Sequence, residues 1–217
     1  MTADISGALR IYAEASEYAT KAGCLDEVEW QRNVIFEEFS ETDFLRETAW
    51  VILCSGFREK IVRRVFDHIS LCFCDWESSS AILDADPYCR VTAMGSFRSP
   101  RKLRSIVDAA RYVNERRFDN FKLDVLADPY TELQKIPYIG VITVWHLAKN
   151  LGLDVAKPDR HLARISSGLG FEDAAHFCRE ISRLCGEQQK VVDLIVWRYL
   201  ADNPRVLPLF EQHRTSE

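Results

Sequence analysis

Apolar residues recur at three- and four-residue spacing along most of this chain, and no stretch alternates apolar with polar residues for long enough to make a strand. Stripes of that period are buried by packing helix on helix, so the chain is expected to be all-α. Several helices announce their own ends. Ser40 followed by Asp43 resembles a capping box, opening an apolar helix through Phe44, Leu45, Ala49, Trp50, Ile52 and Leu53 that Gly56 closes. A basic amphipathic helix with Ile61, Val62, Val65, Phe66 and Ile69 follows. Ser99 and Pro100 start another, because proline at a first helical position forfeits no needed hydrogen bond. Further helices are expected at Asp128 to Lys135, at Val141 to Leu151 with Gly152 as the stop, and near 160–168, 172–185 and 188–202.

With 217 residues, 47% of them hydrophobic, the chain can bury a substantial core, and extended disorder is excluded. No run approaches the roughly 20 apolar residues of a membrane span, and the first residues lack a secretory pattern, so the expected location is the cytoplasm. Seven scattered cysteines, at 24, 54, 72, 74, 89, 178 and 185, read as reduced core thiols. A net charge of -5 argues against indiscriminate coating of nucleic acid, for which Lys and Arg supply most of the affinity. Basic residues nevertheless gather at Arg98, Arg101, Lys102 and Arg104, at Arg63 and Arg64, and around Lys157 and Arg160, while acids crowd the first 43 positions. A positive face and an ordinary solvated helix surface both remain open.

The informative stretch runs from Leu133 to Ile165. Ile136-Pro137-Tyr138-Ile139-Gly140 reads as a tight turn between two short helices, and Val144, Leu147, Ala148 and Leu151 give the second helix its apolar face. Such a turn at a helix N-terminus presents backbone N–H groups that suit a phosphate without reading sequence. Nineteen residues beyond Gly140, the segment Ala156-Lys157-Pro158-Asp159-Arg160-His161-Leu162 sets a carboxylate at the start of the next helix. Two roles are open to Asp159 on residue chemistry alone. It caps the helix, at a gain of about 1 kcal/mol, or it presents a negative charge to a ligand, and one carboxylate has oxygens for both.

Together the turn, the helix, the extended link and the aspartate resemble the helix-hairpin-helix DNA glycosylase superfamily over roughly residues 40–170, in its monofunctional branch. The resemblance implies two helical lobes, 41–155 and 1–40 with 156–217, and an active cleft between them. It implies Asp159 as the catalytic carboxylate. DNA-backbone contacts are implied for Pro137, Tyr138, Ile139, Gly140, Val141, Thr143, Lys157 and Arg160. The wedge that fills the vacated stack falls to Phe57 or Arg58, because Gly56 occupies the usual glutamine position. Trp30, Trp50, Trp145 and Tyr138 are the aromatics available to stack on a flipped base, and most tryptophans in a helical protein are core.

Departures from the family pattern carry their own expectations. Tyr138 replaces the first hairpin glycine, so that turn position has to accept a side chain. Ile142 stands where bifunctional members carry a Schiff-base lysine, which implies hydrolysis to an abasic site. Lys135, Lys149 and Lys157 lie nearby, with neighbours that suggest phosphate contact or exposure. Cys178 and Cys185 have the spacing that opens an iron-sulfur loop in some glycosylases, but no cysteine follows, so no cluster is expected. Nor is any other metal or cofactor, although a monovalent cation at the hairpin is compatible with the pattern. The expected partner is double-stranded DNA with a modified base, bound by a monomer. Two rival readings are a non-catalytic DNA-binding protein that uses the hairpin as a clamp, and a lyase whose lysine comes from elsewhere.

Overall fold

The computed structural model describes residues 3–206, which contain thirteen α-helices, two short 3-10 turns and no strand. In chain order they are α1 (Ile5–Lys21), α2 (Leu25–Asn33), α3 (Glu41–Cys54), α4 (Glu59–Cys72), α5 (Ser79–Ala85), α6 (Tyr88–Ala93) and α7 (Pro100–Arg116). After these come α8 (Phe118–Ala127), α9 (Pro129–Leu133), α10 (Thr143–Asn150), α11 (Arg160–Gly168), α12 (Ala174–Cys185) and α13 (Gln189–Asp202). The fold is all-α, and no helix among the described residues is long and apolar enough to cross a membrane.

Local chemistry sets most helix ends. The Ser40 hydroxyl accepts from Asp43 N at 3.1 Å while the Asp43 carboxylate accepts from Ser40 N at 2.9 Å, closing the capping box that starts α3. Pro100 is the first residue of α7. Asp173 caps α12 through His176 N at 2.7 Å, and Gly186, with φ +70°, ends that helix in the left-handed region.

The chain divides into two units, with the boundaries falling between Val34 and Ile35 and between Leu151 and Gly152. These lie a few residues earlier than the lobe boundaries expected at 40/41 and 155/156. Phe36 and Phe39 explain the first shift: both are buried, and Phe39 meets Phe118 of α8 edge-on at 5.9 Å. The link after Gly152 explains the second, being hydrogen-bonded to α13 as described below. Residues 1–2 and 207–217 of the expected second lobe lie outside the described residues.

In the discontinuous unit α13 is the hub. Its Val191, Val192, Ile195, Val196 and Leu200 pack with Ile11, Ala15 and Ala19 of α1, Leu162 and Ile165 of α11, and Phe177 and Ile181 of α12. The alanines of α1 let the two backbones approach closely. In the continuous unit α3 and α7 are the buried pair, with α5 and α8 against α7 and α4 and α10 against α3. Between α4 and α5, Cys74, Asp75 and Trp76 all have positive φ (56°, 47° and 64°), a left-handed turn costing about 1–2 kcal/mol per residue. Burial of Trp76 offsets this, with its indole stacked on Phe73 at 5.6 Å and its Nε1 donating to Ser70 Oγ at 2.8 Å.

Two compositional expectations change on inspection. Only Cys89 and Cys178 are core thiols; Cys185 is exposed and the other four are half-buried. Lys102 does not join a basic face with Arg101 and Arg104, since it lies in the apolar stripe of α7, one turn ahead of Ile106, and points inward.

Candidate functional site

Asp159 is the N-cap of α11, with φ -89° and ψ 167°. Its Oδ1 accepts from His161 N at 2.8 Å and from Leu162 N at 3.0 Å. Both bonds fall on one oxygen, and Oδ2 accepts none among the described residues. One oxygen anchors the helix start, and the other is not engaged by the described residues. The residue is half-buried, beside an exposed Arg160 and a half-buried Lys157. Burial lowers the pKa of the neighbouring His161 ring below its usual 6.5, with the Asp159 charge opposing, so the ring is neutral at pH 7.

The extended link that delivers Asp159 is fastened to α13. Lys190 Nζ donates to Gly152 O at 3.0 Å and to Val34 O at 2.5 Å, gripping the chain where it re-enters and where it leaves this unit. Lys190 N donates to Asp154 Oδ1 at 2.9 Å, and Asp193, which is 1% exposed, accepts from Lys157 N at 2.6 Å. A final bond, Asp159 N to Lys157 O at 2.8 Å, folds the backbone just before the cap. None of the four bonds to α13 was foreseen, because they join residues 36 to 156 positions apart. The one sequence signal was acidic and basic residues inside an otherwise apolar α13.

In the other unit the hairpin has its own geometry. Ile136 and Ile139 are buried, and Ile139 N donates to Ile136 O at 3.0 Å, so the turn is pinned by its apolar residues. Tyr138 takes the left-handed conformation, φ +68°, that a glycine would adopt freely. Gly140 does not have positive φ, and a Cβ placed on it meets nothing within 4 Å. Its missing side chain therefore leaves room over the backbone and relieves no strain. The Gly140 N–H is already engaged, donating to Thr143 Oγ1 at 2.7 Å, while that hydroxyl donates to Tyr138 O at 3.0 Å. Thr143 thus closes the turn from inside. The outward surface belongs to Val141, 72% exposed, and Ile142, 48% exposed, at the start of α10. The side chain at 142 is aliphatic and carries no amine.

Of the other expected residues, Phe57 and Arg58 are exposed on the loop between α3 and α4. The Phe57 ring lies 5.0 Å from that of Phe97. Trp50 meets Phe66 edge-on at 5.0 Å beneath the Arg63 guanidinium, Trp145 packs on Tyr130 at 4.4 Å, and Trp30 is exposed on α2. The three tryptophans lie on three different helices. Lys135 pairs with Glu132 at the surface. Lys149 is buried, contrary to the expected phosphate contact or exposure, because the last turn of α10 is covered on every side, Leu147, Ala148 and Asn150 included.

No protein-family model matches the chain, and no curated protein matches its sequence. Among solved structures, the chain is similar to the 8-oxoguanine DNA glycosylase of Thermotoga maritima, with a TM-score of 0.59 and 19% sequence identity. The likeness covers 89% of this chain and 97% of that one, so the helical fold is shared along nearly the whole length of both.

Proposed function

We propose that the protein is a DNA glycosylase that flips a modified or damaged base out of duplex DNA and hydrolyses its N-glycosidic bond, with Asp159 as the catalytic carboxylate. The observation that carries this reading is the division of labour at Asp159, where Oδ1 is fixed by two backbone N–H groups and Oδ2 has no partner among the described residues. The shared fold with an 8-oxoguanine DNA glycosylase supports it.

As the bond from C1′ to the base nitrogen lengthens, its electron pair leaves with the base and the sugar acquires oxocarbenium character. A fixed carboxylate stabilises that cation. Water then adds at C1′ and loses its proton, for which the same carboxylate is the available base. The leaving base takes up a proton, and the products are free base and an abasic site on an intact strand. With Ile142 at the start of α10, no amine at that position is available to form a Schiff base. The extrusion itself costs a few kcal/mol, met by filling the vacated stack with Phe57 or Arg58.

The test is incubation with duplexes carrying single modified bases, followed by alkali to reveal abasic sites. The base named for the structural neighbour, 8-oxoguanine, heads the panel, which extends to alkylated purines, deaminated bases and bulky modified cytosines. D159N should abolish base release and leave DNA affinity within several-fold, since asparagine keeps the cap and loses the charge. Borohydride should trap no covalent complex with the wild-type protein. Turnover by D159N refutes the assignment, efficient trapping shows that another amine is the nucleophile, and binding without any base release leaves the hairpin-clamp reading.

A further inference from the structure

The amine of Lys102 occupies an unusual position for a charge. The residue is 5% exposed, and its Nζ donates to the carbonyl oxygens of Ile52, of Ser55 at 2.6 Å and of Leu53 at 3.4 Å. These lie at the C-terminal end of α3, where carbonyls lack intrahelical partners and carry the negative end of the helix dipole. Two aromatic rings complete its surroundings, Phe57 at 5.4 Å and Tyr138 at 5.1 Å, both within the range of attraction between a cation and a ring face. Burial lowers the pKa of the amine from its usual 10.5, while carbonyl oxygens and ring faces are the kind of neighbour that favours its charged form.

The two rings belong to elements far apart in sequence. Phe57 stands on the loop that leaves α3, two residues past the Ser55 carbonyl, and Tyr138 is the left-handed residue of the hairpin. A single ammonium therefore joins the end of α3, the loop after it and the hairpin. We propose that Lys102 is a positioning residue that holds the Phe57 loop and Tyr138 in one fixed relation, so that both engage the same duplex. This rests on the glycosylase reading above. An apolar residue of similar length would fill the same volume of core; what it would lose is the tie between loop and hairpin.

The test compares affinities of the full chain for two duplexes of one sequence, one carrying a tetrahydrofuran analogue of an abasic site and one undamaged, by fluorescence anisotropy. The wild type should prefer the analogue. K102M should reduce that preference at least tenfold while affinity for the undamaged duplex stays within threefold, and K102R, which keeps the charge and the donors, should restore it. Should K102M fail to fold by circular dichroism, K102Q takes its place, keeping one amide donor and losing the charge. A folded variant with wild-type preference overturns the proposal, as does an equal loss of affinity for both duplexes, which marks a merely structural role. A wild type without preference removes the glycosylase reading and this inference together.

Discussion

Glu47 is a residue whose acid chemistry is altered by folding. It is buried on α3, its Oε2 accepting from Asn150 Nδ2 at 2.8 Å and its Oε1 from Arg46 Nη1 at 3.2 Å. Burial pushes its pKa up to about 7 from an ordinary 4.5, with the Arg46 charge and the Asn150 hydrogen bond opposing and Asp43 adding to the rise. A carboxyl raised in the folded state binds its proton more tightly there than in the unfolded chain. Its contribution to stability is therefore complete below about pH 4.5 and is lost as pH rises to about 7. E47Q, which cannot ionise, should become more stable relative to wild type across that window, by on the order of 3 kcal/mol at most. Melting temperatures of both proteins from pH 4.5 to 8 check this, and a constant difference across the range refutes it. Asp159 and Glu47 also differ in how far sequence reveals them. The bonds of Asp159 close within three residues, so its cap was legible from the residue order; Glu47 meets Asn150 103 positions away, and nothing near it in sequence points there.

The hairpin is held by Thr143, whose hydroxyl accepts from Gly140 N and donates to Tyr138 O. Thr143→Val keeps the shape and removes both bonds, so it should cost about 1 kcal/mol of stability. Affinity for undamaged duplex should fall several-fold as well, and Thr143→Ser should recover both. Thermal melting with anisotropy titrations measures the pair, and unchanged values would make the bonds incidental. Element boundaries were readable wherever short-range chemistry sets them, as at the capping box of α3, Pro100 of α7 and the Asp159 cap of α11. They were hidden where the backbone breaks without a glycine. Arg117, with φ +63°, separates α7 from α8, and the left-handed run from Cys74 to Trp76 precedes α5 and α6, which are too short to show a period. Lys102 was in plain view inside an apolar stripe, but its carbonyl partners lie 47 to 50 residues away, so its charge read as surface.

At the scale of the molecule, the all-α class followed from periodicity alone, whereas the boundaries between units depended on Phe36, Phe39 and the anchors of α13, which no local pattern encodes. The discontinuous unit has a consequence for how the protein is made. Residues 35–151 form one unbroken stretch whose helices pack among themselves, whereas α1 and α2 pack against α13, and α1 against α12, in a core shared with α11. During synthesis at about 5–20 residues per second, the apolar face of α1, with Ala8, Ile11, Ala15 and Ala19, waits on the order of ten seconds for α13 to emerge from the ribosome. A nascent chain stalled with residue 151 outside the exit tunnel should show protease protection across 35–151 and cleavage within α1, and protection of α1 should appear only once α13 is released. Helix α1, made before residues 35–151, is thus sheltered after them, and for that interval it depends on whatever in the cell binds an exposed amphipathic helix.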